Sequence, residues 1–213
     1  MTKLNEEWLS IVKQYAIEKK YEKDELVYRA YEDANEVYVV LKGRIRAYTI
    51  TNDGQEVTYE ILGKGKIFGE TSLLKHGKRS VYASAVVDTI LLQISKKDIE
   101  ELLLKYAEFG ILFLKMIAES NVYLCDRLRM NKDYNRYQKV VYFLLDTTKE
   151  DAIDKEIHNG VLPYTHEDIA NCVQLNRVTV SRVLDELEKK GYIRMKYKKI
   201  QVVKRKELEK DYL

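Results

Sequence analysis

The sequence predicts an α+β chain: a jelly-roll β domain, one long helix, and a winged helix-turn-helix at the C-terminal end. Three observations predict it. Residues 18–95 break into short apolar runs separated by turn signals. The stretch after Ser95 is free of proline and rich in Leu, Ile, Glu and Lys, as a long helix requires. After the single proline, Pro163, comes a compact helix–turn–helix–hairpin pattern. The expected domains are residues 1–95, a helix and hinge over 96–135, and residues 136–213.

The first element is a helix from about Glu6 to Ile17. Strands follow. Val57, Tyr59 and Ile61 alternate with Glu56, Thr58 and Glu60, the period of two that marks a half-buried strand. Asn52-Asp53-Gly54-Gln55 is a hairpin turn signal, with Arg44 to Ile50 as the partner strand. Val37 to Leu41 and Thr89 to Ile94 are further strands.

From Lys96 to about Met130 the only glycine is Gly110. Within this helix Gly110, Leu114, Ile117, Asn121, Leu124 and Leu128 recur at spacings of 4, 3, 4, 3 and 4. A repeat of 3.5 residues is that of a coiled-coil dimer seam, in which a polar Asn121 would fix register. An amphipathic helix packed on its own domain gives a similar pattern, so both readings stay open. The polar run Asn131-Lys132-Asp133-Tyr134-Asn135 is the expected hinge.

Beyond it, Lys139 to Asp146 reads as an apolar helix and Thr147 to Asn159 as an acid-rich loop. Thr165 caps the next helix, with Glu167 and Asp168 in its first turn and Ile169, Ala170 and Val173 on its inner face. Gln174-Leu175-Asn176 makes the turn. A second helix runs from Arg177 to a stop at Gly191, burying Val180, Val183, Leu184 and Leu187. Arg177, Val178, Thr179, Ser181 and Arg182 lie toward its N-terminal end, where a recognition helix meets base edges. A hairpin wing follows, Tyr192 to Met195 and Ile200 to Val203, its tip carrying Lys196, Lys198 and Lys199 toward phosphates.

Composition narrows the function classes. The net charge of the 213 residues is only +3, but between Asn176 and Lys206 eleven basic residues face three acidic ones. A local excess of this kind points to a polyanionic partner, double-stranded DNA, although a solvated basic face would read alike. Cys125 and Cys172 lie far apart, and His76, His158 and His166 have no ligand-like spacing, so neither a metal nor an iron–sulfur cluster is expected. No apolar run reaches membrane-spanning length and the first residues lack a signal-peptide core, so the expected location is the cytoplasm, with no membrane partner. No nucleophile–base set or triphosphate-binding loop occurs, so no enzymatic activity is expected.

The remaining motif is Gly65-Lys66-Ile67-Phe68-Gly69-Glu70-Thr71-Ser72-Leu73-Leu74, continuing through Arg79-Ser80-Val81-Tyr82-Ala83. A glycine freeing its N–H, a carboxylate, then Arg-Ser nine residues later suits a cyclic phosphodiester. The guanidinium and hydroxyl would take phosphate and the carboxylate a ribose hydroxyl. A purely structural pairing of Arg79 with Glu70 is the alternative.

With this cassette and the Arg177-Val-Thr-Val-Ser-Arg-Val-Leu184 helix, the chain resembles the bacterial cyclic AMP receptor protein/fumarate–nitrate reductase regulator (CRP/FNR) family over nearly its whole length. The resemblance implies a cyclic-nucleotide-binding-like jelly roll, a homodimer, a palindromic promoter site and RNA polymerase as a partner. It implies effector contacts at Gly69, Glu70, Arg79 and Ser80, and base or phosphate contacts at Arg177, Val178, Ser181 and Arg182. The dimer seam would use Leu114, Ile117, Asn121, Leu124 and Leu128. Two departures stand out. Where the cyclic AMP receptor protein offers Thr-Ser to adenine, an ungapped count reaches Leu124-Cys125, and Gln174 stands where the turn usually has glycine. The implied effector is cyclic AMP or another cyclic nucleotide. A dimeric regulator of the same fold that binds no cyclic nucleotide is the competing expectation. The Arg-Val-Thr pattern looks like that of the cyanobacterial nitrogen-control regulators.

Overall fold

The computed structural model describes residues 2–74, 77–148, 160–197 and 199–212. His76, Lys198 and the loop expected up to Asn159 lie wholly or largely outside them. Backbone proximity divides the chain into two compact units, residues 1–51 with 58–123, and residues 52–57 with 124–213.

The first unit opens with α1 (Glu6–Lys13), capped by the Asn5 side chain, and continues through eight strands. These are β1 (Ala16–Tyr21), β2 (Leu26–Tyr28), β3 (Glu36–Lys42), β4 (Ile45–Ile50), β5 (Glu56–Leu62), β6 (Ile67–Phe68), β7 (Tyr82–Ala85) and β8 (Thr89–Ser95). They form two four-stranded sheets, ordered β1-β8-β3-β6 and β2-β7-β4-β5. The α+β fold read from the sequence is thus present, with α1 shorter than expected because Ala16 already pairs with Ile94.

β3 lies between β8 and β6 in its sheet, and both of its faces are covered by other layers. Val37 and Val39 point with Leu92 and Ile94 into a core shared with Leu9, Val12, Ile99, Leu102 and Phe109. Tyr38 and Val40, of opposite parity, join Tyr28, Ile45, Phe68 and Leu91 between the sheets. β5 is half-buried, as its alternation predicts, and its Thr58 face is the inner one. Thr58, not Tyr59, is buried, and Tyr59 is exposed. Leu62 anchors the strand in the inter-sheet core, and a period of two then assigns its face to Thr58 and Glu60.

The stretch after Ser95 is two helices rather than one: α2 (Lys96–Lys105) and α3 (Ala107–Asp133). Tyr106 leaves the helical region (φ −122°, ψ 92°) and its ring packs edge-on against Trp8. Along α3, Phe109, Phe113 and Met116 are buried, whereas Leu114 and Leu128 are 66% and 72% exposed. Ile117 is half-buried, and Asn121, Leu124 and Cys125 are exposed. The seam positions therefore lie off the side that packs into the first unit's core.

Asn135 caps α4 (Arg136–Thr147) through a capping box with Gln138. The second unit continues with β9 (Val161–Leu162), α5 (His166–Val173), α6 (Arg177–Lys189), a hairpin of β10 (Ile193–Lys196) and β11 (Lys199–Val202), and α7 (Arg205–Tyr212). β9 adds to the hairpin, giving a three-stranded wing ordered β10-β11-β9.

Candidate functional sites

The helix-turn-helix is held by local chemistry. Thr165 and Asp168 form a reciprocal capping box at the start of α5: Thr165 Oγ1 accepts from Asp168 N at 3.1 Å and Asp168 Oδ2 accepts from Thr165 N at 2.7 Å. Gln174 ends α5 in the left-handed region (φ 53°, ψ 49°), and Leu175 N donates back to Ala170 O. A non-glycine residue there costs about 1 kcal/mol. Gln174 is exposed, so Gln174→Gly is expected to stabilise the second unit by roughly that amount, raising its thermal midpoint by a few degrees. An unchanged or lowered midpoint would show that the glutamine side chain compensates.

Asn176 caps α6, its Oδ1 accepting from Thr179 N at 2.7 Å. Val180, Val183, Leu184 and Leu187 are buried, as the sequence predicts. Arg177, Val178 and Arg182 are exposed; Thr179 and Ser181 are half-buried. His166 Nδ1 lies 2.8 Å from Ser181 Oγ, an association across the helix pair that the sequence did not announce. On the wing, Lys196 and Lys199 form the last cross-strand pair, both exposed, beside Tyr197, which is 87% exposed. The structure therefore gathers Arg177, Val178 and Arg182 on one helix end, with the wing lysines in the same unit.

Not all the charge counted in this region is available to a polyanion. Arg205 donates to Thr148 O, Thr148 Oγ1 and Leu145 O, closing the C-terminal end of α4. Lys190 bonds to Tyr212 Oη and pairs with Glu186; these partners raise its pKa and hold it at the α6–α7 junction. Arg127 is also structural: it is buried, and its guanidinium donates to Cys172 O near the end of α5.

In the first unit, Gly69 adopts φ +83° and starts a 3₁₀ turn, Glu70–Leu73. A side chain at Gly69 would be strained twice over, because its Cβ would stand 2.7 Å from Arg79 Nη1. Glu70 and Ser80 are exposed, whereas Arg79 is 2% exposed. Arg79 Nη1 donates to Gly69 O at 3.0 Å and Nη2 to Glu36 Oε2 at 3.1 Å. Its guanidinium lies 4.3 Å from the Tyr28 ring centroid and 5.4 Å from that of Tyr38. Arg79 does form an internal ion pair, but with Glu36, not with the Glu70 considered from the sequence. Burial raises the pKa of Tyr28, and burial with the Glu36 charge pushes that of Tyr38 up to about 12. Both phenols are thus neutral near pH 7, leaving Glu36 as the only anion bonded to Arg79 among the described residues. The Ser72 hydroxyl in the same turn is buried and has no hydrogen-bond partner among the described residues.

Comparison with known proteins bears on both units. The cyclic nucleotide-binding domain family matches residues 18–106, and the Crp-like helix-turn-helix domain matches residues 138–211. The cyclic AMP receptor protein of Thermus thermophilus is 34% identical over 166 residues, covering 75% of this chain and 71% of its own. The chain belongs to the CRP/FNR family. The global nitrogen regulator of Nostoc sp. is another such relative, 26% identical over 189 residues and covering 86% of this chain and 84% of its own. Among solved structures, FixK2 from Bradyrhizobium japonicum superposes with a TM-score of 0.79 at 25% identity, covering 92% of this chain and 96% of that one. This CRP/FNR protein is therefore a DNA-binding transcriptional regulator in type. Among the described residues no helix is long and apolar enough to cross a membrane, and no group of His, Cys, Asp or Glu could hold a metal ion.

Proposed function

We propose that this regulator works in the cytoplasm as a homodimer that reads a palindromic promoter site and responds to a small anionic effector such as a cyclic nucleotide. The observation that carries the DNA reading is the exposed Arg177, Val178 and Arg182 at the N-terminal end of α6, anchored from behind by a buried apolar face. Arg177 suits a bidentate contact to guanine and Val178 a thymine methyl. Arg182, Lys196, Lys198 and Lys199 suit phosphates. Thr179 stands with them in the first turn of the helix. Dimerisation is supported by the solvent-facing Leu114 and Leu128 in a 3.5-residue repeat. Two copies joined there would present their α6 helices about 34 Å apart, one turn of DNA. RNA polymerase would be the partner of the DNA-bound dimer.

Effector control is supported by the Gly69, Glu70, Arg79 and Ser80 cassette, with Leu124 and Cys125 on α3 as candidate contacts to the base. The effector would favour one arrangement of the seam and of the Asn131 to Asn135 segment. One observation favours the second reading, a regulator needing no effector: Arg79 already has a counter-ion in Glu36.

Selection of DNA from a random duplex pool, with and without cyclic AMP and cyclic GMP, tests both. A palindromic consensus enriched only with nucleotide supports effector control; the same consensus without it supports the second reading. Affinity for the selected site is expected to fall roughly 10³- to 10⁵-fold between 50 and 200 mM salt for about 6–10 phosphate contacts. Indifference to duplex DNA at low salt would end the DNA reading. Sedimentation of Leu114→Ala/Leu128→Ala is expected to give monomer where the wild type gives dimer, and an unchanged dimer would exclude the seam.

A further inference from the structure

We propose that Glu36 is the specificity-determining residue of the sensor site, an internal carboxylate that occupies the Arg79 fork and must be displaced before an anionic effector can bind. The inference rests on the effector reading above, and concerns a residue on β3, 43 positions from Arg79 in sequence.

Carboxylates and phosphates are the same kind of partner for a guanidinium fork, which presents planar N–H donors to paired oxygens. In this protein that fork is already engaged. Gly69 O takes one edge at 3.0 Å, and Glu36 Oε2 takes Nη2 at 3.1 Å. The two halves of the ion pair are not equally held. The Arg79 side chain is 2% exposed, stacked on Tyr28 and hemmed in at Gly69, so it has nowhere to go. The Glu36 side chain is 32% exposed at the first residue of β3, so its carboxylate can turn into water. Charge makes the displacement necessary. One guanidinium neutralises one carboxylate; a phosphodiester added beside it would place two anions on a single cation in a largely desolvated site. The anion therefore enters by replacing Glu36. Its affinity is lowered by whatever the ion pair contributes, while a neutral ligand that leaves Arg79 untouched is unaffected.

Calorimetry on the full-length protein separates these effects. Wild type, Glu36→Gln and the double variant Glu36→Gln/Arg79→Gln are titrated with cyclic AMP and cyclic GMP, and with adenosine and guanosine as uncharged counterparts. Glu36→Gln keeps the side-chain shape and removes the charge. It is expected to bind at least one cyclic nucleotide tenfold or more tightly than wild type, with nucleoside binding unchanged and the gain lost in the double variant. Equal affinity of wild type and Glu36→Gln for a cyclic nucleotide overturns the role of Glu36 and leaves the effector reading standing. Absence of binding by both overturns the two together. A gain shared by nucleosides also overturns the proposal, since it would reflect reshaping and not charge. Should Glu36→Gln fail to melt cooperatively, Glu36→Thr must show the same anion-selective gain.

Discussion

Replacing Arg177 by alanine is expected to flatten base preference at one position in each half-site while leaving non-specific affinity nearly intact. Arg177 is the first residue of α6, and the Asn176 cap fixes the direction in which that turn points. A bidentate arginine–guanine contact contributes about 1–3 kcal/mol of discrimination, roughly five- to 150-fold at each half-site. Non-specific binding comes from phosphates and should be carried by Arg182 and the wing lysines, so it is insensitive to this change. Lysine at 177 keeps the charge without the planar fork and should restore affinity more than preference. Fluorescence anisotropy with the selected site and single-base variants measures both. A preference that survives Arg177→Ala unchanged would remove Arg177 from base reading.

Leu184→Ala is expected to be among the most damaging single truncations in the second unit. Leu184 is fully buried on the inner face of α6, the face it shares with Val180, Val183 and Leu187. Leucine-to-alanine changes at such positions cost about 2–5 kcal/mol, because the lost transfer energy is joined by that of an unfilled cavity. Typical domains have only about 5–15 kcal/mol in total. Urea unfolding should therefore show a midpoint lowered by a large fraction of its value, with DNA binding lost near physiological temperature. Leu128→Ala is the contrast: at 72% exposure in one chain, it should barely change unfolding when the protein is too dilute to associate. A Leu184→Ala protein as stable as wild type would mean that α5 and α6 do not share the core described.

The second unit was legible in detail because its determinants are local. Caps act over three residues, as in Thr165 with Asp168 and Asn176 with Thr179. The left-handed turn at Gln174 lies between helix ends only four positions apart, Val173 and Arg177. The buried stripe Val180, Val183, Leu184 and Leu187 is a helical period that any reader of the chain can count. The break at Tyr106 was not countable: the ring there packs on Trp8, nearly a hundred residues earlier, a contact no local pattern records. The inner face of β5 was not legible for a related reason: alternation gives two faces but not which one is inside, and Leu62 decides that by joining a core built from other strands.

By itself the sequence determined the order of the sensor-like and helix-turn-helix domains, the residue types along α6 and the presence of an Arg-Ser cassette, since each is written in residues near one another. Only the tertiary structure decided what Arg79 does. The sheets bring Tyr28 of β2 and Glu36 and Tyr38 of β3 around it, although Arg79 itself lies in the loop before β7. An ion pair between residues 43 positions apart leaves no periodic or compositional trace, because the contact energy is set by distance in space and burial, neither of which the linear chain records.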